Sequence, residues 1–126
     1  MKESKLYFES IGTLDFEQAR IKHVLFKSKL RAMLYGADID VEPVISVTAC
    51  SLGKWIYSTA VPRIGHLEEV KELERVHKDM HVLARRLWKE YQAGQQDLAL
   101  QGLAEVDAIA TKLLHLLDVI ERKAVS

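Results

Sequence analysis

Apolar side chains recur at intervals of three and four residues over three long stretches of the 126-residue chain. Because an α-helix turns once every 3.6 residues, this spacing places them on one face of a helix. The first stripe comprises Phe16, Ala19, His23, Phe26, Leu30 and Met33. The second comprises Val70, Leu73, His77, Met80, Ala84, Leu87 and Tyr91. The third comprises Ala99, Leu103, Val106, Ala110, Leu113, Leu117 and Ile120. The pattern predicts three long amphipathic helices.

Helix-ending residues stand where these stripes stop. Thr13 or Asp15 is suited to cap the first helix, and Gly36 to end it. Gly94 is suited to end the helix of the second stripe, because glycine tolerates the left-handed conformation common after a last turn.

The middle of the chain lacks a long helical stripe and contains the residues that interrupt helices. Both prolines, Pro43 and Pro62, lie there, and they bracket a segment that begins with the β-branched run "VISVT" at residues 44–48. The run has no pairing partner elsewhere, so we expect an extended connection, followed by a short helix that carries Cys50. The whole pattern predicts an all-α fold, an antiparallel four-helix bundle with a short cysteine-bearing helix, as a single domain over residues 1–126.

The charge and composition of the chain disfavour several classes of partner and location. Eighteen basic residues balance eighteen acidic ones, which disfavours nucleic acid or an anionic membrane as a partner. No run of about 18 apolar residues is present to span a bilayer, and the first residues lack the apolar stretch of a secretory signal. With one cysteine, the chain cannot form an internal disulfide, so we expect a reducing, cytoplasmic setting.

Two histidines occupy positions where the stripes require apolar residues: His23 in the first and His77 in the second. A buried imidazole without a partner costs about 1–3 kcal/mol, so a lone core histidine is usually satisfied by a hydrogen bond. His81, however, follows His77 by one helical turn and points the same way. Two imidazoles so placed can share one metal ion.

The remaining donors complete a candidate shell. His23 from the first helix and Cys50 from the middle segment would add to His77 and His81 to give three imidazoles and one thiolate, a ligand set that zinc accepts. The spacing H-x-x-x-H is also common by chance, and each histidine could instead be a hydrogen-bonded core residue. An iron pair is weaker, because it needs two E-x-x-H motifs and only Glu74 to His77 provides one.

The other two histidines have simpler explanations. His66 lies eleven residues before His77, about 16 Å along a helix, which is too far to share the ion. His115 stands on the polar face of the third helix, where we expect it to be solvated.

Three motifs resemble the bacterial chemoreceptor zinc-binding domain: "HVLFKSKL" at residues 23–30, "CSLGKWIY" at 50–57 and "HKDMH" at 77–81. The resemblance implies that His23, Cys50, His77 and His81 bind one Zn²⁺. The family commonly has tryptophan where this chain has Phe26, and often an aromatic residue where it has Met80. Both replacements stay apolar, so we expect altered packing and a retained site.

The "LGKW" part of the cysteine motif has a packing explanation as well as a family one. Gly53, one turn after Cys50, would let the short helix approach its neighbours, and Trp55 would anchor it in the core. We expect Lys54 to be exposed.

The site disfavours catalysis. A four-ligand shell leaves no position for substrate, and Lys78 stands where the zinc-protease motif H-E-x-x-H needs its glutamate. We therefore expect no enzyme activity. The resemblance implies a homodimeric sensor of zinc or of oxidants in chemotaxis or second-messenger control, usually attached to a chemoreceptor signalling region or a diguanylate cyclase. The alternatives are a metal-stapled bundle and a metal-free dimerisation bundle, neither of which senses anything.

Overall fold

The computed structural model describes residues 11–125, whose regular elements are all helices. In chain order they are α1 (Thr13–Leu34), α2 (Glu42–Ile45), α3 (Ser51–Trp55), a π-helical turn (Ile56–Ala60), α4 (Val61–Ile64), α5 (Glu68–Gln92), α6 (Gln96–Gln101) and α7 (Leu103–Ala124). The predicted all-α class is confirmed. The antiparallel four-helix order stays a prediction, as does the single domain of residues 1–126, which reaches beyond the described range at both ends.

The three long helices bury the predicted stripes against one another. Helix α5 packs on α7 and α6, while α1 packs on α7, α5 and the short helices α2 and α3. All six residues of the first stripe are buried, and in the other two stripes only Tyr91 and Leu103 remain partly exposed. The hydrophobic spacing therefore identified the core correctly.

The start of α1 differs in detail from the expectation. Gly12 is the N-cap, Thr13 is the first helical residue, and Asp15 accepts a hydrogen bond from the Gly12 backbone N–H at 2.9 Å. Asp15 thus caps the helix start by reaching back from the first turn, as one of the two predicted alternatives, whereas Thr13 is a helical residue and does not cap it. Both predicted helix ends are confirmed, since Gly36 (φ 91°) and Gly94 (φ 84°) take up the left-handed conformation.

The run at residues 44–48 is not wholly extended, as we had expected. Its first two residues, Val44 and Ile45, belong to the single helical turn α2. Pro43 stands in the first turn of this helix, where its fixed φ suits the helix and its missing N–H would have had no partner. The remainder of the run, residues 46–48, lies in the turn of residues 46–50 that leads into α3.

The last predicted helix is in fact two. Gly102 separates α6 from α7, and a Cβ atom added there would lie 2.2 Å from Cδ2 of Leu87. The Leu87 side chain on α5 thus packs closely against the glycine at this junction, and a larger residue there would force that side chain to move. Ala99 consequently belongs to α6, and the rest of the third stripe belongs to α7.

Close packing also governs the start of α3. A Cβ atom added to Gly53 would lie 2.1 Å from the backbone oxygen of Val47 and 3.0 Å from Cε1 of His77. Trp55, 5% exposed, packs edge-on against Phe16 with ring centroids 5.6 Å apart. The predicted roles of glycine and tryptophan in "LGKW" are confirmed, and Lys54 is exposed as expected.

We expect Gly53→Ala to lower the free energy of unfolding by about 1–3 kcal/mol, because a backbone oxygen cannot move aside as a flexible side chain can. The matched control is Lys54→Ala, at the exposed next position, which should change it by less than about 0.5 kcal/mol. Urea unfolding followed by circular dichroism measures both. Equal stability of Gly53→Ala and the unmodified protein would contradict this packing.

Candidate metal centre

Helix α5 presents two histidines to the core from successive turns. His77 and His81 are both fully buried, and their rings meet edge to face with centroids 4.6 Å apart. Their Nε2 atoms lie 3.1 Å from each other. The four-residue spacing therefore brings the two imidazoles together, as the sequence predicted.

Cys50 joins this pair from a different part of the chain. It is the N-cap of α3, with an extended backbone (φ −73°, ψ 134°), and it is 2% exposed. Its Sγ and one nitrogen of each histidine all lie within 4.8 Å of one another. No carboxylate of the described residues belongs to this group, so it lacks the bridging ligands of an iron pair.

Two hydrogen bonds hold α2 against α5 beside the site. His81 Nδ1 lies 2.6 Å from the Val44 carbonyl oxygen, and Arg85 Nη1 donates to the Ile45 oxygen at 2.9 Å. A carbonyl only accepts, so His81 Nδ1 carries the proton and donates it, and Nε2 is left with its lone pair facing His77. This is the arrangement by which a carbonyl orients a metal-binding imidazole.

His23 is placed differently. It is fully buried on α1, and neither of its ring nitrogens has a hydrogen-bond partner within residues 11–125. It is not one of the three residues whose donor atoms converge. It does lie close enough to His77 for its charge to lower the pKa of that imidazole. The structure thus brings Cys50, His77 and His81 together and leaves His23 nearby without a polar partner.

Burial keeps these histidines neutral at pH 7. Loss of hydration lowers the pKa of His77 to about 3, with smaller contributions from His81, His23 and Lys78. Loss of hydration, with a small effect of Lys27, lowers that of His23 to about 4. The pKa of His81 is also lowered, mainly by burial, although the bond to Val44 opposes this. Neutral imidazoles have the free lone pairs that a cation requires.

The two departures from the family motif are both buried, apolar side chains. Phe26 packs edge-on against His81, with centroids 5.0 Å apart, and Met80 is fully buried. Phe26 thus supplies apolar surface beside the cluster, and the retained site stays a prediction.

The donor set and its spacing fit a tetrahedral zinc ion. Two nitrogens bound to one zinc at about 2.0–2.1 Å lie about 3.3–3.4 Å apart, close to the 3.1 Å between His77 Nε2 and His81 Nε2. His77 Nδ1 and both nitrogens of His23 are buried without partners in the described chain. Such unsatisfied groups are rare in cores, and they are expected where a ligand is to be held.

The remaining histidines are where the sequence placed them. His66 and His115 are exposed, and neither belongs to the cluster. The residues that the sequence did not identify are those that orient the site: the carbonyls of α2 and Arg85. Arg85 stands one turn after His81, and this spacing was the only available signal for it.

Comparison with known proteins agrees with the geometry. No curated protein and no solved structure matches the chain. None of the helices in residues 11–125 is long and apolar enough to cross a membrane. The chain does match the family described as chemoreceptor zinc-binding domain, over residues 23–88. This match starts at His23, spans all four predicted ligands and covers slightly more than half of the sequence. The chain therefore belongs to the chemoreceptor zinc-binding domain family.

Proposed function

We propose that this chain is a cytoplasmic, non-catalytic sensory domain that holds one zinc ion through His23, Cys50, His77 and His81. The observation that carries the proposal is the convergence of Cys50, His77 and His81 donor atoms within 4.8 Å in a closed core. A bound zinc would hold the sulfur as a thiolate, the form that oxidants attack. We further propose that residues 1–126 form one domain.

His23 is the proposed fourth ligand. A fully buried imidazole with no partner within the described residues costs about 1–3 kcal/mol, and a metal bond would offset that cost. Its influence on the pKa of His77 supports its position beside the cluster. With four protein ligands, the ion would have no open position for a substrate, which supports a regulatory role.

Protein purified without chelators should contain close to one zinc per chain. Because each ligand is needed to close the shell, Cys50→Ala and His81→Ala should weaken zinc binding by more than the 10- to 100-fold typical of outer-shell changes, that is, at least about 100-fold. Elemental analysis and competition with a chromogenic chelator measure this.

His115→Ala is the matched control, because it removes an exposed imidazole away from the cluster. It should leave the affinity unchanged. Metal-free purified protein, or an equal loss in His115→Ala and His81→Ala, would contradict the proposed site. An affinity unchanged in His23→Ala would remove His23 from the shell and leave the other three.

The position of Cys50 supports sensing over a purely structural role. Cys50 is the last residue of the turn 46–50 and the N-cap of α3. Its sulfur therefore brings these short elements into contact with the histidines of the long helix α5. Loss of that donor by oxidation would release the short elements first, while the packing of α5 on α7 remains. A purely structural zinc would instead stabilise all the helices together.

Stoichiometric hydrogen peroxide should therefore release zinc and raise amide hydrogen exchange mainly in residues 44–56. The expected rise is at least about tenfold there, with residues 106–120 of α7 unchanged, since local opening needs far less free energy than global unfolding. Cys50→Ser treated in the same way is the control and should not respond. Uniform loss of protection along the whole chain would favour the metal-stapled bundle.

We also propose that the domain forms a homodimer and acts on a signalling region of the chemoreceptor or diguanylate cyclase type. The face of α1 opposite the core carries a stripe of exposed apolar residues: Leu14 (67% exposed), Ile21 (60%), Val24 (57%) and Leu25 (51%). A stripe of exposed apolar residues with helical spacing is typical of a helix that packs against another protein surface.

Ile21→Glu should weaken the dimer at least about tenfold, because it would bury an unpaired charge in the middle of this stripe. Val82→Glu is the matched control, since Val82 is equally exposed (56%) but lies on α5. Light scattering over a dilution series measures both dissociation constants. A monomeric unmodified protein, or the same weakening in both variants, would refute the proposed interface.

A further inference from the structure

A surface cleft leads to the sulfur side of the metal centre. It encloses about 110 Å³. Its lining comes from two turns of α1 and from the short elements opposite: Lys22, Leu25, Phe26, Lys29, Pro43, Val44, Cys50 and Ser51. Neither His77 nor His81 lines it. Cys50 is thus the member of the converging cluster that faces this opening.

Two of the residues that line the cleft are lysines without an ion-pair partner in the described part of the chain. Lys22 and Lys29 stand seven residues apart on α1, two turns, and no carboxylate is among the lining residues. Within residues 11–125 neither ammonium group has a carboxylate within 4.0 Å, whereas Lys27 on another face of the same helix pairs with Asp107 at 3.0 Å. These two lysines, unpaired within residues 11–125, therefore place positive charge beside any solute in the cleft.

The apolar walls strengthen this effect. Phe26 and Val44 are buried, and Leu25 belongs to the exposed stripe of α1. Low-dielectric walls concentrate the field of nearby charges, and a cleft lined by one sign of charge raises the local concentration of oppositely charged solutes. Cys50 is only 2% exposed and lines this cleft, so a solute that approaches its sulfur from the cleft would pass through the field of both lysines.

We infer that this cleft is the route by which small solutes reach Cys50, and that Lys22 and Lys29 make the route selective for anionic thiol-reactive solutes. The inference deepens the proposed function, on which its regulatory meaning rests. It assigns the two lysines the role of specificity-determining residues that never touch the metal.

Alkylation provides a direct test, because Cys50 is the only thiol in the chain. Iodoacetate and iodoacetamide are nearly the same size and differ in charge. In both reactions the thiolate sulfur displaces iodide from the CH₂ carbon, so that a C–S bond forms, the C–I bond breaks and iodide leaves with the electron pair. Rates measured by intact-mass spectrometry are divided by those for 2-mercaptoethanol, which corrects for the intrinsic reactivity of each reagent.

The corrected ratio of iodoacetate to iodoacetamide should exceed one in the unmodified protein. Lys22→Gln and Lys29→Gln should each lower it on the order of threefold at low salt, and about 1 M salt should bring it close to one. A change in folding or in the thiolate fraction of Cys50 would affect both reagents alike and cancel in the ratio. Lys89→Gln, which removes an exposed lysine outside the cleft, should leave the ratio unchanged.

A ratio near one in the unmodified protein, or no change in either cleft variant, would overturn the inference. The same would follow from an equal fall in Lys89→Gln, or from a native Cys50 that neither reagent modifies while the urea-unfolded chain reacts. Zinc content is measured on each sample as purified. Selectivity for iodoacetate in a protein without bound zinc would support the route and refute the zinc site. Bound zinc in a protein without this selectivity would support the zinc site and refute the route.

Discussion

Three imidazoles and a thiol lie in a core that is otherwise apolar, and the cost of removing them from water is the constraint on which the rest of the structure depends. His23, His77 and His81 have no solvent exposure, and desolvation lowers the pKa of all three. Only His81 has a hydrogen bond outside the cluster, to the Val44 carbonyl. A shared cation, as proposed, would offset this cost, since it would bond the lone pairs that burial leaves free.

Helical spacing, two hydrogen bonds and one glycine position these donor atoms. One helical turn separates the two histidines of α5, and the same helix holds α2 through His81 and Arg85. Gly53 lets α3 lie against both the preceding turn and His77, so the cysteine at its N-cap reaches the histidine pair. The cluster therefore depends on rigid helices for its nitrogens and on short, less extensively packed elements for its sulfur. In the proposed sensor, this difference would let the sulfur side, which faces a lysine-lined cleft, open before the long helices do.

Periodic features of the fold and site could be predicted from the sequence, and features that depend on tertiary contact could not. The stripes of α1 and α5 located the core and the paired histidines of α5, because helical spacing is a local property. The break at Gly102 was missed because the apolar spacing continues across it, and the close packing of Leu87 against this glycine comes from another helix. The β-branched run at 44–48 was misjudged in part, since the helical turn that contains Pro43 and the bonds from α5 override its local preference. The place of Cys50 beside the histidines came from ligand chemistry and family motifs, and no periodicity could have shown it. The cleft forms where α1 meets α2 and the start of α3, so no pattern along the sequence could have predicted it.

The most direct test of the metal centre is X-ray absorption at the zinc edge of the purified protein. Tetrahedral coordination by Cys50 and the three histidines predicts one sulfur at about 2.3 Å and three nitrogens at about 2.0–2.1 Å. A shell of oxygen and nitrogen atoms alone, with no sulfur, would contradict the account.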